Sequence, residues 1–127
     1  MTAGTLSRSE QMARLNDRAR QAMGLACVAV ATEGFRALPE QDQSRVRELV
    51  ETFDAFTPDN DPYGERDFGA IYQDGDGRWT TTRPARSAET VFWKIDAHDR
   101  DLRFGSDDPA NPAVTRRVLT IMLASEY

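Results

Sequence analysis

The stretch TVFWKID, residues 90–96, decides the fold, because its apolar and polar residues alternate with the period of a β-strand. Val91, Trp93 and Ile95 fall on one side of that strand, and Phe92, Lys94 and Asp96 fall on the other. The pattern predicts a central strand with Trp93 in the core. Upstream, DFGAIYQ (67–73) has the aromatic and β-branched content of a second strand, and DGDG (74–77) is a strong turn sequence. This half of the chain therefore predicts antiparallel hairpins.

Three other segments have helical patterns. Ser7 and Glu10 form a capping-box pattern before an amphipathic stretch that ends at Gly24. Pro39 can open a second helix, whose apolar stripe runs from Val46 to Phe56. Asn111 and Pro112 supply an N-cap and a first-turn proline for a third helix near the C-terminus. The inner face of this third helix is expected to hold Val114, Val118, Ile121 and Met122.

Two further short strands are predicted. LACVAVAT (25–32) is rich in small and β-branched residues and predicts a largely buried strand, and Leu102 and Phe104 predict another. Together the elements predict an α+β fold in which a twisted antiparallel sheet of three to five strands packs against about three helices on one face. We expect a single domain, residues 1–127, with a mobile hairpin insert at residues 74–87.

The composition excludes several classes of protein. The 127 residues carry 16 basic and 21 acidic side chains, a net charge of -5, which disfavours direct binding to nucleic acid phosphates. The longest strictly apolar run, residues 25–31, is too short to cross a bilayer, so no membrane association is expected. The one cysteine, Cys27, allows no internal disulfide and is expected to be a buried thiol. A cytoplasmic location is the corresponding expectation.

The stretch FDAFTPDNDPYGERDFG, residues 53–69, gathers five carboxylates and one arginine in what must be a loop. Proline, asparagine and aspartate at this density favour a rigid set of turns, so the loop can be purely architectural. The stretch does not match an EF-hand, because the twelfth position counted from Asp59 is Ala70 instead of glutamate. A looser cation site and an acidic docking surface remain the alternatives.

The same run, together with VFWKIDAHDRDLRFGSDDPANPAVTRRVLTIMLASEY (91–127), resembles domain-of-unknown-function family 3768. The resemblance also takes in RLNDRAR (14–20) and the region around LPEQDQSRV (38–46). It implies small bacterial proteins, many from plasmids and other mobile elements of alphaproteobacteria, and it transfers no catalytic or binding residue. Small acidic proteins of mobile elements often act on host nucleic-acid machinery, as antirestriction and anti-CRISPR proteins do.

These observations lead us to expect a non-enzymatic acidic protein-binding module without a cofactor or metal. It would bind a partner with a basic surface and inhibit a host defence or nucleic-acid-processing complex. The predicted contact residues are Asp59, Asn60, Asp61, Tyr63 and Glu65, with Asp99, Arg100 and Asp101 as a second edge. The alternative is a small metal-dependent hydrolase that uses the carboxylates of residues 59–67 with His98 as the base.

Overall fold

A computed structural model describes residues 5–127. In this part of the chain the helices are α1 (Arg8–Gln21), α2 (Glu33–Arg36) and α3 (Glu40–Glu51). The strands are β1 (Val28–Ala31), β2 (Phe68–Gln73), β3 (Trp79–Thr80), β4 (Glu89–His98) and β5 (Arg116–Leu123), and a 3-10 turn (Ala124–Glu126) follows them. The five strands form one sheet in the order β1-β5-β4-β2-β3. The α+β class is confirmed, but the sheet is mixed, because β1 runs parallel to β5.

Strand β4 lies at the centre of the sheet, as its alternating sequence predicts. It pairs antiparallel with β2 on one side and with β5 on the other. Val91, Trp93 and Ile95 are all buried, and Trp93 is fully enclosed at 0% exposure. They join the inward residues of β2 and β5 in one core cluster with side chains from all three helices: Ala19, Phe35, Val46 and Val50.

The first two predicted helices are present, with one changed boundary. In α1 the capping box is complete, since the Ser7 hydroxyl accepts from the Glu10 N–H at 3.1 Å and the Glu10 carboxylate accepts from the Ser7 N–H at 3.2 Å. Helix α3 follows Pro39 but ends at Glu51, so Phe53 and Phe56 lie beyond it. Their rings still contact the Trp93 ring edge-on, with centroids 5.3 and 6.0 Å away.

The predicted C-terminal helix is wrong, because this segment forms strand β5 between β1 and β4. Alternate residues Arg117, Leu119 and Ile121 are buried, which is the burial pattern of a strand. Paired on both sides, β5 satisfies its backbone groups across the sheet, and isolated helical propensity cannot compete with that.

Two of the short strands are also corrected. The strand in 25–32 is an edge strand instead of a buried one, and Val30 is 44% exposed. No strand forms at Leu102 and Phe104, which are exposed in a turn where a single bridge joins His98 to Gly105. The predicted insert at 74–87 contains β3, and its Trp79 is buried and donates to the Asp42 carboxylate at 3.1 Å. Trp79 therefore belongs to the core, while the mobility of the insert stays a prediction.

Candidate functional site

The acidic loop, residues 54–67, connects α3 to β2 and is held in shape by its own side chains. Asn60 accepts from the Thr57 N–H at 2.8 Å and donates to the Ala55 carbonyl at 2.9 Å. The Thr57 hydroxyl accepts from the Asn60 N–H at 3.2 Å. The side-chain amide of Asn60, predicted as a contact residue, therefore makes its hydrogen bonds within the loop itself.

Asp61 has a similar internal role. Its carboxylate accepts from the Arg66 N–H at 3.1 Å, across a tight turn in which Gly64 and Arg66 both have positive φ (68° and 55°). A carboxylate that accepts from a backbone N–H stabilises such a turn. Two of the five predicted contact residues in the loop, Asn60 and Asp61, thus hold its backbone in shape, and their part in binding stays a prediction.

The one basic residue of the loop, Arg66, is exposed but binds to helix α1. The Arg66 guanidinium donates to the Asp17 carboxylate at 2.9 Å and lies over the Phe56 ring, 5.2 Å from its centroid. Asp17 also pairs with the buried Arg20 at 2.8 Å. Because Arg66 is engaged in this way, it does not neutralise the outer carboxylates of the loop.

Asp59 and Tyr63 form the outer surface of the loop, with Glu65 half-buried beside them. Tyr63 is 78% exposed and stacks on none of the aromatic rings of the described residues. The Asp59 carboxylate makes no hydrogen bond or ion pair within residues 5–127. The loop therefore presents a carboxylate and an aromatic ring to solvent on a fixed backbone.

Beneath the loop, α1 supplies a buried polar link. Asn16 is 2% exposed, and its amide donates to the Glu65 carbonyl at 2.8 Å. Its oxygen accepts from Arg117 Nε on β5 at 2.7 Å. Arg117 is 6% exposed and also donates to the Pro109 carbonyl at 2.7 Å. Burial lowers the pKa of the Arg117 guanidinium, although arginine keeps its proton at neutral pH.

Where the loop meets the sheet, Asp67 lies near two other acids. Its burial, followed by the neighbouring Asp61 and Asp96 carboxylates, raises the pKa of Asp67. Asp96 itself forms an ion pair with Lys94 at 2.9 Å. The acids at this end of β2 and β4 therefore repel one another at neutral pH, and Lys94 offsets part of that repulsion.

The residues of the predicted second edge lie in the turn after β4, and their role in binding stays a prediction. Asp99 shapes the turn after β4, since its carboxylate accepts from the Arg103 N–H at 3.0 Å. Arg100 and Asp101 are exposed, and no hydrogen bond or ion pair of the described residues links them to residues 54–67. Arg100 instead lines a separate cleft with three other arginines, which the sequence analysis did not identify.

The residues predicted for hydrolysis do not converge. Among residues 5–127 no three His, Cys, Asp or Glu side chains are placed to share one metal ion. Asp96 and His98 share a strand face, but Asp96 pairs with Lys94, and the buried Nδ1 of His98 has no partner among the described residues. Cys27 is half-buried and its thiol contacts the Ala19 carbonyl at 3.3 Å.

A comparison with known families identifies the chain. The model of a family described as "Protein of unknown function (DUF3768)" matches residues 31–126, about three quarters of the chain. The chain belongs to this family. The match includes the acidic loop and begins after α1, so Asn16 and Arg18 lie outside it. No curated protein and no solved structure matches the chain. Within the described residues, no helix has the length and apolar character needed to cross a membrane.

Proposed function

We propose that this member of the DUF3768 family is a non-enzymatic protein-binding module that docks its acidic loop on a basic surface of another protein. The observation that supports this most directly is that different residues of the loop hold its backbone in shape and form its exposed surface. Asn60, Asp61 and Arg66 fix the backbone, while Asp59 and Tyr63 stay exposed.

A fixed loop is suited to binding, because little conformational entropy is lost when a partner arrives. Exposed carboxylates attract a basic surface and raise the association rate in a salt-dependent way. Tyrosine contributes a large amphipathic contact with few rotatable bonds, and it is enriched among the residues that dominate interface energies. Asp59 and Tyr63 thus supply steering and anchoring from one loop.

The partner we propose is a basic groove of a nucleic-acid-processing complex, such as a host defence nuclease that the module would inhibit. Duplex DNA carries about one charge per 1.7 Å of axis, which is far denser than a net charge of -5 on 127 residues. Imitation of a long DNA segment is therefore not proposed. A local acidic contact with one part of such a groove fits the charge better.

The test compares two double variants. Asp59→Ser with Tyr63→Ala removes the exposed surface of the loop, and Asp107→Ser with Phe104→Ala removes an exposed acid and aromatic ring from another loop. Each protein is used for affinity capture from host lysate, and the captured partner is then purified for binding measurements at two salt concentrations. We expect the first variant to bind at least tenfold more weakly, with a shallower salt dependence, and to keep the melting temperature of the parent.

Equal binding by the parent and the loop variant would contradict the proposal. The same conclusion would follow if the Asp107 and Phe104 control lost binding to the same extent. Asp61 is left intact in these variants, because its bond to the Arg66 N–H makes any loss at that position ambiguous. The hydrolase alternative stays a prediction.

A further inference from the structure

An arginine-lined cleft lies at the amino-terminal ends of β1 and β5, away from the acidic loop. It has a volume of about 770 Å³, which is within the usual range of small-molecule sites. Its walls include Arg18 from the last turn of α1, Arg100 from the turn after β4, and Arg116 and Arg117 from β5. No aspartate or glutamate lines it among the described residues. This is unusual in a chain with an excess of acids.

Three of these guanidinium groups have no partner in the described part of the chain. The side chains of Arg18, Arg100 and Arg116 make no ion pair and no hydrogen bond within residues 5–127. Two acids that could have formed ion pairs with them are already paired with other arginines. Asp17 holds Arg20 and Arg66, and Asp108 pairs with Arg8. The cleft therefore carries uncompensated positive charge.

The fourth arginine is buried and held in place by neutral groups. Arg117 Nε donates to Asn16, and Nη2 donates to the Pro109 carbonyl, each at 2.7 Å. Its Nη1 makes no hydrogen bond with a described residue. Nη1 is also not one of the buried polar atoms that lack a partner. Arg117, which lines the cleft, is thus a pre-oriented cation with one donor group that no described residue accepts from.

Several arginines in the wall of one cavity favour phosphate as a ligand, because each planar guanidinium fork can donate two parallel hydrogen bonds to phosphate oxygens. The repulsion among the arginines is relieved when a doubly charged anion enters. Leu25, which is 92% exposed, and Val28 add an apolar wall beside the charged one. We propose that this cleft binds a small organic phosphate of nucleotide size, with its phosphate on the arginines and its uncharged part against Leu25 and Val28.

Isothermal titration calorimetry tests this with two probes, inorganic pyrophosphate and ADP, at constant ionic strength. The variants are Arg100→Gln and Arg116→Gln, which remove exposed cleft arginines. The matched control is Arg103→Gln, an exposed arginine of the same turn that does not line the cleft. We expect saturable binding of ADP, weakened roughly tenfold or more by each cleft variant and unchanged by the control.

The two probes also distinguish the source of the affinity. ADP binding that is at least tenfold tighter than pyrophosphate binding supports the apolar wall, and Leu25→Ser should then remove that advantage. Equal affinity for both probes would leave the phosphate part of the proposal standing and overturn the part played by Leu25 and Val28. Sulfate serves as a control for simple charge screening.

Three results would overturn the proposal as a whole. The first is no saturable heat from either probe at millimolar concentration. The second is an equal response to sulfate, and the third is equal weakening by the Arg103→Gln control. None of these results bears on the acidic loop, because the variants leave residues 54–67 unchanged. The docking and phosphate proposals can therefore fail independently.

Discussion

Replacing Asn16 with alanine should destabilise the protein more than the size of the side chain suggests. Asn16 is 2% exposed and is the one described residue whose side chain joins the acidic loop to strand β5. Alanine removes the donor to the Glu65 carbonyl and the acceptor for Arg117 Nε together. A buried guanidinium N–H is then left without its partner, and water has little access to replace it.

The magnitude follows from these two bonds. A hydrogen bond to a charged group contributes about 1.5–3 kcal/mol, and a neutral one contributes about 0.5–1.5 kcal/mol. Alanine regains roughly 0.5 kcal/mol through its higher helix propensity. The expected net loss is about 1.5–4 kcal/mol of the free energy of unfolding. With about 4 °C per kcal/mol for a chain of 127 residues, the melting temperature should fall by roughly 6–16 °C.

Urea denaturation followed by tryptophan fluorescence measures this loss, since Trp79 and Trp93 are both buried. The control is Arg14→Ala, an exposed position on the same helix, which should change stability by less than about 0.5 kcal/mol. A double-mutant cycle of Asn16→Ala with Arg117→Leu should give a coupling of about 1 kcal/mol or more. A loss below 1 kcal/mol in Asn16→Ala, or no coupling, would refute the reasoning.

Two further predictions concern Gly69 in β2 and Asp67, the residue just before that strand. Gly69→Ala should cost about 1–3 kcal/mol in urea denaturation, because its Cβ would overlap the Trp93 ring. Asp67→Asn should raise the free energy of unfolding at pH 7. Because the pKa of Asp67 is raised in the folded state, the folded state binds a proton more readily than the unfolded chain does. The parent protein therefore gains stability as the pH falls through that pKa towards about 3.9. The variant should lose this gain. A parent curve that is flat over the same interval would contradict the raised pKa that burial of Asp67, followed by the Asp61 and Asp96 carboxylates, produces.

The sequence predicts β4 well because all the information is local. Val91, Trp93 and Ile95 alternate with polar or half-buried neighbours, and every inward position is apolar. In β5 the same alternation exists, but Arg117 occupies an inward position. Its polar side chain interrupts the alternation of apolar and polar residues that indicates a strand. The remaining apolar residues also fit a helical spacing. Arg117 can be buried only because Asn16, 101 positions earlier in the chain, meets its Nε.

Local sequence also predicts the internal structure of the acidic loop. Turn-forming residues indicate a rigid loop, and Asn60 and Asp61 do fix it through neighbours within five positions. The contacts that set the position of the loop on the molecule span 49 positions, from Asp17 to Arg66 and from Asn16 to Glu65. No local pattern in residues 53–69 contains them. Local sequence therefore predicts the shape of the loop but not where it lies.

The arginine cleft could not be predicted until the topology was known. Its four arginines come from α1, from the turn after β4 and from β5, so they do not stand together in one stretch of the sequence. They meet because β5 is a strand that runs parallel to β1, which places Val28 and Arg116 at the same end of the sheet. A C-terminal helix in this segment would have removed the pairing with β1 that brings Val28 and Arg116 to the same end of the sheet. The wrong helix and the missed cleft thus have one cause: a buried arginine at an inward strand position, where sequence patterns expect an apolar residue.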